Sequence, residues 1–398
     1  MQERIAERPS GGTDAAVPAL GFRPFYLCAG VLATCWIPLW LAVVHGAWSG
    51  PTYLPAVVWH GHEMIYGYVL AVMAGFLLTA VRNWTGQQTP TGGPLAALVL
   101  LWLAGRAALL LGGQLPGWLI ATVDVAFLPV LAIVLWVPLW RARNRRNMAF
   151  PALLLVLAAA NARVHLAALG VGVVDSARAL GLALDVITLI MVVVGGRVIP
   201  AFTANALPEA RVRSWRALDR LAVLSVLLLL GVHLLSAPAV VTVPVALLAA
   251  LANGMRMMGW GTRATWGTPI LWILHAGYAW IVISLMLETL SVAGIAALRP
   301  FAVHALTVGA IGSLTLGMMT RSALGHTGRT LAATPAIVLA YACVNLAALV
   351  RSLVPIPFPH AYMSALGVSG LLWSLAFGVF TVVFWPVLTR PRIDGKPG

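Results

Sequence analysis

Apolar residues in this chain gather in long runs of about 20, separated by short polar breaks, and a run of that length spans a hydrocarbon core about 30 Å thick as an α-helix. Such runs fall near residues 25–45, 56–81, 94–112, 117–140, 149–170, 179–205, 217–235, 239–258, 268–290, 300–321, 334–353 and 361–388. The pattern predicts an all-α integral membrane protein of about twelve transmembrane helices. The breaks are short and hold Gly, Pro and Arg, as where Gly112-Gly113 precedes Pro116-Gly117, which leaves no room for a hidden soluble domain. A single membrane domain over 21–390 is expected, with short tails over 1–20 and 391–398. The first twenty residues carry Glu3, Arg4, Glu7, Arg8 and Asp14 and no apolar core, so they read as a polar tail rather than a cleaved signal.

Composition agrees: 61% of residues are hydrophobic and 9% charged, against about a quarter charged in ordinary soluble domains. The net charge of +14 is a topology signal. With both termini cytoplasmic, the inner segments hold nineteen basic residues and the outer segments only Arg178, Arg299 and Arg351. Such a bias fits a multi-pass membrane protein attracted to anionic lipid. Nucleic acid is excluded as a partner because no soluble basic domain exists to bind it.

Ionisable groups inside the spans are then the candidates for function. Arg106 and Arg163 fall at the depth of Asp124 and Asp185, where they are expected either to form structural ion pairs or to hold cofactor carboxylates and line a proton path. Arg197 stands apart toward the inner side in Gly195-Gly196-Arg197-Val198-Ile199-Pro200. Of the histidines, His60, His62, His165 and His304 lie in the outer leaflet, His275 in the inner leaflet and His326 just past the inner end of the tenth span. His45, His233 and His360 lie at outer helix ends, where solvation is the simple explanation.

A gap-free shift of 242 positions lays His62 on His304, Gly67 on Gly309, Gly75 on Gly317 and Thr85-Gly86 on Thr327-Gly328. Imidazole suits iron, copper and zinc, and haem iron takes one histidine on each face. His62 and His304 are therefore expected as axial haem ligands, with the glycines leaving room for a flat macrocycle. Residues two apart on a helix point about 200° from each other, so His60 should serve a different site. His60 with Glu63 or His165 are the copper candidates, and a second centre could use His275 beside Arg197, closed by His326 or Arg321. Cys28, Cys35, Met255, Met257 and Met258 are expected to be packing.

The segment Trp59-His60-Gly61-His62-Glu63-Met64, with Gly75-Phe76-Leu77-Leu78-Thr79-Ala80-Val81 and Asn83-Trp84-Thr85-Gly86, resembles the NnrS family of bacterial membrane proteins. So do Phe22-Arg23-Pro24-Phe25, Gly195 to Pro200 with Phe202-Thr203, Leu274-His275-Ala276-Gly277-Tyr278-Ala279-Trp280, His304 to Gly312, and Met319-Thr320-Arg321 through Gly325-His326-Thr327-Gly328-Arg329. The resemblance implies a twelve-helix inner-membrane protein containing haem, of b type in the absence of a covalent attachment motif, and copper. It also implies a link to denitrification and relief of nitric oxide stress. The family-like positions are His60, His62, Glu63, Arg197, His275, His304, His326 and Arg329. A redox role would make nitric oxide the ligand or substrate of an oxidoreductase, with quinol or a redox protein as electron donor. The rival class is a transporter or exporter of a metal, haem or small solute, although the matched spans are the second and tenth rather than the second and eighth.

Overall fold

The computed structural model describes residues 16–172 and 175–395. The expected polar residues Glu3, Arg4, Glu7, Arg8 and Asp14, and Lys396, lie outside them. Among the described residues there is no strand, and twelve helices are long and apolar enough to cross a membrane. They are α1 (Phe22–Val44), α2 (Ala56–Thr85), α3 (Gly92–Leu110), α4 (Gly117–Arg141), α5 (Arg145–Ala168), α6 (Ser176–Ala206), α7 (Arg216–Leu234), α8 (Ala239–Met258), α9 (Pro269–Val292), α10 (Ala296–His326), α11 (Pro335–Ser352) and α12 (Pro359–Thr389). Each contains the centre of one predicted span.

From α3 onward each helix packs on the next, and α12 returns to pack on α1. The two ends of the bundle meet through Arg23, whose Nη1 donates to the carbonyls of Leu388 (3.0 Å) and Arg390 (2.8 Å) at the close of α12. These are the carbonyls a helix C-terminus leaves without intrahelical partners. Arg23, one of the basic residues assigned to the inner segments, is thus fully buried.

Within this ring α2 is the central helix: 83% of its apolar window is buried, more than in any other span. Its regular hydrogen bonding breaks at Glu63–Val69, a π-helical segment that begins directly after His62. The same break recurs in α10 at Ala305–Ile311, directly after His304, which is 242 residues later to the residue. The likeness continues to the helix ends, where Thr85 and Thr327 bond back to the carbonyls of Val81 and Ala323. Gly86 and Gly328 follow, both left-handed, at φ +66° and +73°. The 242-residue correspondence is therefore a structural repeat. Its two copies touch where Tyr68, near the end of the first π segment, meets Thr315, just past the second, with hydroxyls 2.5 Å apart.

The glycines of the repeat have another use than the one expected. A Cβ on Gly67 would press on Arg106 and Leu32, one on Gly75 on the Tyr26 ring, one on Gly309 on the Trp280 indole and one on Gly317 on Leu274 and Ile273. The space over each is already filled by a neighbouring helix, so these glycines permit close helix approach rather than a macrocycle.

Candidate functional site

The first half of α2 places His60 and His62 on different faces, as the helical rotation requires. The His62 face looks into a closed polar cluster formed by α2, α3, α4 and α5. Arg106 of α3 donates through Nη1 to Glu63 Oε1 at 2.7 Å and through Nη2 to Asp124 Oδ1. Asp124 Oδ2 receives Asn161 Nδ2 at 2.7 Å and His165 Nε2 at 3.0 Å. Asn161 and His165 are four residues apart on α5, hence on one face. His62 Nε2 lies 2.8 Å from Asn161 Oδ1 and 3.1 Å from Asp124 Oδ2, and its Nδ1 lies 3.1 Å from Glu63 Oε1. Tyr66, four residues on along α2, packs its ring on His62, with centroids 4.8 Å apart. All of these side chains are essentially shut off from solvent.

This geometry fixes the protons. A carboxylate only accepts, so Asp124 orients the Asn161 amide with its NH2 toward Asp124 and its carbonyl toward His62. His62 therefore faces acceptors at both ring nitrogens and satisfies them only as an imidazolium. His165 donates from Nε2 to Asp124 and accepts at Nδ1 from the Tyr53 hydroxyl, 3.0 Å away. Tyr53, in the loop before α2, keeps its proton because burial, aided by the charge of Asp124, pushes its phenol up to about 12. Two carboxylates thus balance one guanidinium and one imidazolium, and the cluster is neutral. Such balance is what makes four charges tolerable in a dry site. One acceptor stays open: Glu63 Oε2 is buried without a partner.

Asp124, His62 and His165 also form the one group among the described residues whose ligand atoms, all within 4.8 Å of one another, could hold a metal ion. His165 and Glu63 therefore belong with His62 and not with His60. The reason is that the α5 face carrying Asn161 and His165 packs on the side of α2 away from His60.

On the His60 face the surroundings are aromatic. Its ring stacks on Trp40 of α1 at 4.6 Å, and Trp36 packs on Trp59 at 5.4 Å. His60 makes no hydrogen bond among the described residues, and its Nδ1 is buried. His304 and Arg351 lie within electrostatic range of it. His304 donates from Nδ1 to the Pro300 carbonyl at 2.7 Å, which leaves the Nε2 lone pair free. Arg351 Nη1, Trp36 Nε1 and Trp59 Nε1 are also buried and have no partner among the described residues. His304 thus lies within electrostatic range of His60, whereas among the described residues no contact joins it to His62.

The remaining expected residues scatter. His275 is held at both nitrogens by threonine hydroxyls, Thr203 at 2.9 Å and Thr262 at 3.0 Å. His326 packs against Phe22 and Arg321 lies over the Phe202 ring, so no second centre assembles around His275. Arg197 is exposed and reaches Asn147 at 3.3 Å. The buried guanidinium near Gly196 is that of Arg256, which bonds Asp219 at 2.8 Å, the Val192 carbonyl and the Tyr278 hydroxyl. Arg163 is exposed and pairs with no acid among the described residues. Asp185 pairs with His233 at 2.9 Å rather than with an arginine, and His233 is not a solvated helix end.

Sequence reasoning missed Asn161, Tyr53, Arg351 and Arg256. Asn161 carried a signal, a polar amide four residues before His165 in an apolar run. Arg351 and Arg256 carried none, since a basic residue near a helix end looks the same whether it points to water or into the bundle.

The family model described as NnrS protein matches residues 16–392, nearly the whole chain, and the chain belongs to that family. Comparison with curated proteins returned no match.

Proposed function

We propose that this member of the NnrS family binds haem between His60 and His304, binds copper at His62, Asp124 and His165, and uses these centres to bind or metabolise nitric oxide in a bacterial inner membrane with both termini cytoplasmic. The observation that carries the haem reading is the state of the two histidines. A ligating histidine commonly gives its other N–H to a carbonyl, as His304 does to Pro300, and His60 keeps a buried nitrogen without a protein partner. The Arg351, Trp36 and Trp59 donors nearby, buried and unpartnered, suit the carboxylates of a b-type haem. His60 thereby replaces His62 as the partner of His304.

A haem held by both histidines would supply a one-electron couple, and copper would add a second couple and a position for a diatomic gas. The chain's own part is to exclude water and move protons. Nitric oxide, small and apolar, enters between helices without a lined pore. Tyr53, His165, Asp124 and His62 form a hydrogen-bonded series that ends at Glu63 and its open Oε2. That series is the proposed proton path; Arg106 holds it in place, and Arg163, Asp185 and Arg197 stand outside it. Electrons come from quinol or a redox protein.

The copper reading rests on the short mutual distances of His62, Asp124 and His165, nitrogen and oxygen donors that suit copper as well as non-haem iron; binding there would release the protons that His62 and His165 hold in the metal-free cluster. The test is purification in detergent with iron and copper counted and the reduced-minus-oxidised spectrum recorded before and after nitric oxide. Near-stoichiometric haem is expected, lost in both His60→Ala and His304→Ala, with copper lost in His165→Ala. A haem spectrum unchanged in either of the first two variants sinks the pairing, and a metal-free protein favours the transporter class.

A further inference from the structure

A cavity of about 550 Å³, separate from the α2 site, lies between α6, α7, α8, α9 and α10 at the same end of the bundle as the histidines. That volume is in the range of small-molecule sites, roughly 300–1,000 Å³. At its polar side His233 stands between two acids, with Nδ1 2.9 Å from Asp185 Oδ2 and Nε2 3.2 Å from Glu288 Oε1. Acceptors at both nitrogens again make the ring an imidazolium, which leaves one negative charge on the trio. Unlike the cluster around Asp124, these three side chains are 19–28% exposed and open into the cavity. The rest of the wall is mainly aliphatic, with Leu182, Leu184, Val232, Val303 and Leu306.

The chemistry of the lining narrows the occupant. A metal ion is disfavoured, since the only group among the described residues close enough to share one is His62, Asp124 and His165. An anionic headgroup would be drawn to Arg178 and Arg299 at the rim but repelled by the carboxylates deeper in. A neutral, apolar molecule carrying hydroxyl donors fits both parts, because a carboxylate is a strong acceptor for such donors. Position adds a reason. Ala302, Val303 and Leu306 line the cavity from one face of α10, and His304 projects from the other, so one helix separates the cavity from the His60 and His304 site.

We infer that this cavity binds the ring of a lipid-soluble hydroquinone, with its hydroxyls on the carboxylates of Asp185 and Glu288. The inference deepens the redox reading above and rests on it for the role of electron donor. Oxidation to the quinone breaks two O–H bonds and gives two protons to these carboxylates and two electrons onward. Two nitric oxide molecules taking up two electrons and two protons yield nitrous oxide and water, which balances the exchange.

The test uses the full-length protein in detergent and a decyl-substituted benzoquinol as probe, with binding followed by equilibrium dialysis against protein-free micelles and haem counted on the same samples. Saturation near one probe per chain is expected whatever the haem content. Glu288→Gln and Val303→Phe, the latter filling the cavity from an exposed position, should each weaken binding at least tenfold. Because binding is read without turnover, the cavity assignment and the haem assignment can fail separately. Uptake no greater than that of empty micelles, binding that both variants leave unchanged, or displacement of the probe by anionic phospholipid would each overturn the assignment.

Discussion

Asp124 is the side chain on which the buried cluster turns, and replacing it with Asn tests whether the four charges form one closed set. The carboxylate accepts from Arg106, Asn161, His165 and His62 at once. An amide in its place could accept through one oxygen only, and its NH2 would point at groups that themselves donate. The charge balance also shifts, leaving Glu63 alone against Arg106 and His62. Removing one member of a buried ion pair costs about 3–5 kcal/mol, and one uncompensated unit charge at 4 Å is worth about 4 kcal/mol at an effective dielectric of 20. Asp124→Asn should therefore destabilise by about 3–5 kcal/mol, read as the midpoint of reversible unfolding in mixed micelles titrated with a denaturing detergent. Arg106→Gln alone should cost a similar amount. Together they remove one charge of each sign, so the double variant should fall short of the sum by about 1–3 kcal/mol. Additive single effects, or an Asp124→Asn cost under about 1 kcal/mol, would refute the idea of a closed set.

Three further outcomes are expected from the same unfolding assay. Gly309→Ala places a Cβ 2.5 Å from the buried Trp280 indole and should cost about 1–3 kcal/mol by overpacking, whereas Gly86→Ala, left-handed but in open space, should cost about 1 kcal/mol from backbone strain alone; equal costs would deny that Gly309 is a contact point. Gly196→Ala puts its methyl into the Arg256 guanidinium and should cost about 1–3 kcal/mol, with Arg256→Met in the same chain relieving part of it. Tyr53→Phe removes the donor to His165 and should cost about 1 kcal/mol while leaving Asp124→Asn as costly as before; a neutral Tyr53→Phe would show that the loop does not close the cluster.

How much of this was legible in the sequence depends on what kind of fact is asked for. The twelve spans were legible because a bilayer demands an apolar run of fixed length, and one window length serves every helix. That His60 and His62 face different surroundings was also legible, since a 200° turn between them follows from helix geometry alone. Which partner each would meet was not. It depends on which face of α5 lies against α2, and in an apolar bundle neighbouring helices are told apart by packing that no single run displays. Asp185 illustrates this: depth placed it with Arg106 and Arg163, but helix order gave it His233 of α7. The buried arginines escaped for the same reason, because Arg256 and Arg351 owe their burial to Asp219 and Tyr362 on neighbouring helices.

The repeat joins these levels. A π segment admits one extra residue into a helix and so turns everything beyond it by about 100° relative to an uninterrupted one. In α2 the π segment begins directly after His62, contains Gly67, which packs under Arg106 and Leu32, and precedes Gly75, which packs under Tyr26. Without it, a face that buries glycines against α1 and α3 could not also aim His62 at α5 and His60 at Trp40. In α10 the same device lets Gly309 and Gly317 pack on α9 while Val303 and Leu306 face the cavity and His304 the opposite side. Two helices that are each tightly packed along their length and present histidines at one end share the same local irregularity, at the same register. In both copies the histidine is thus followed by a π segment that contains the first glycine and precedes the second, which is why the three share one spacing in the two spans.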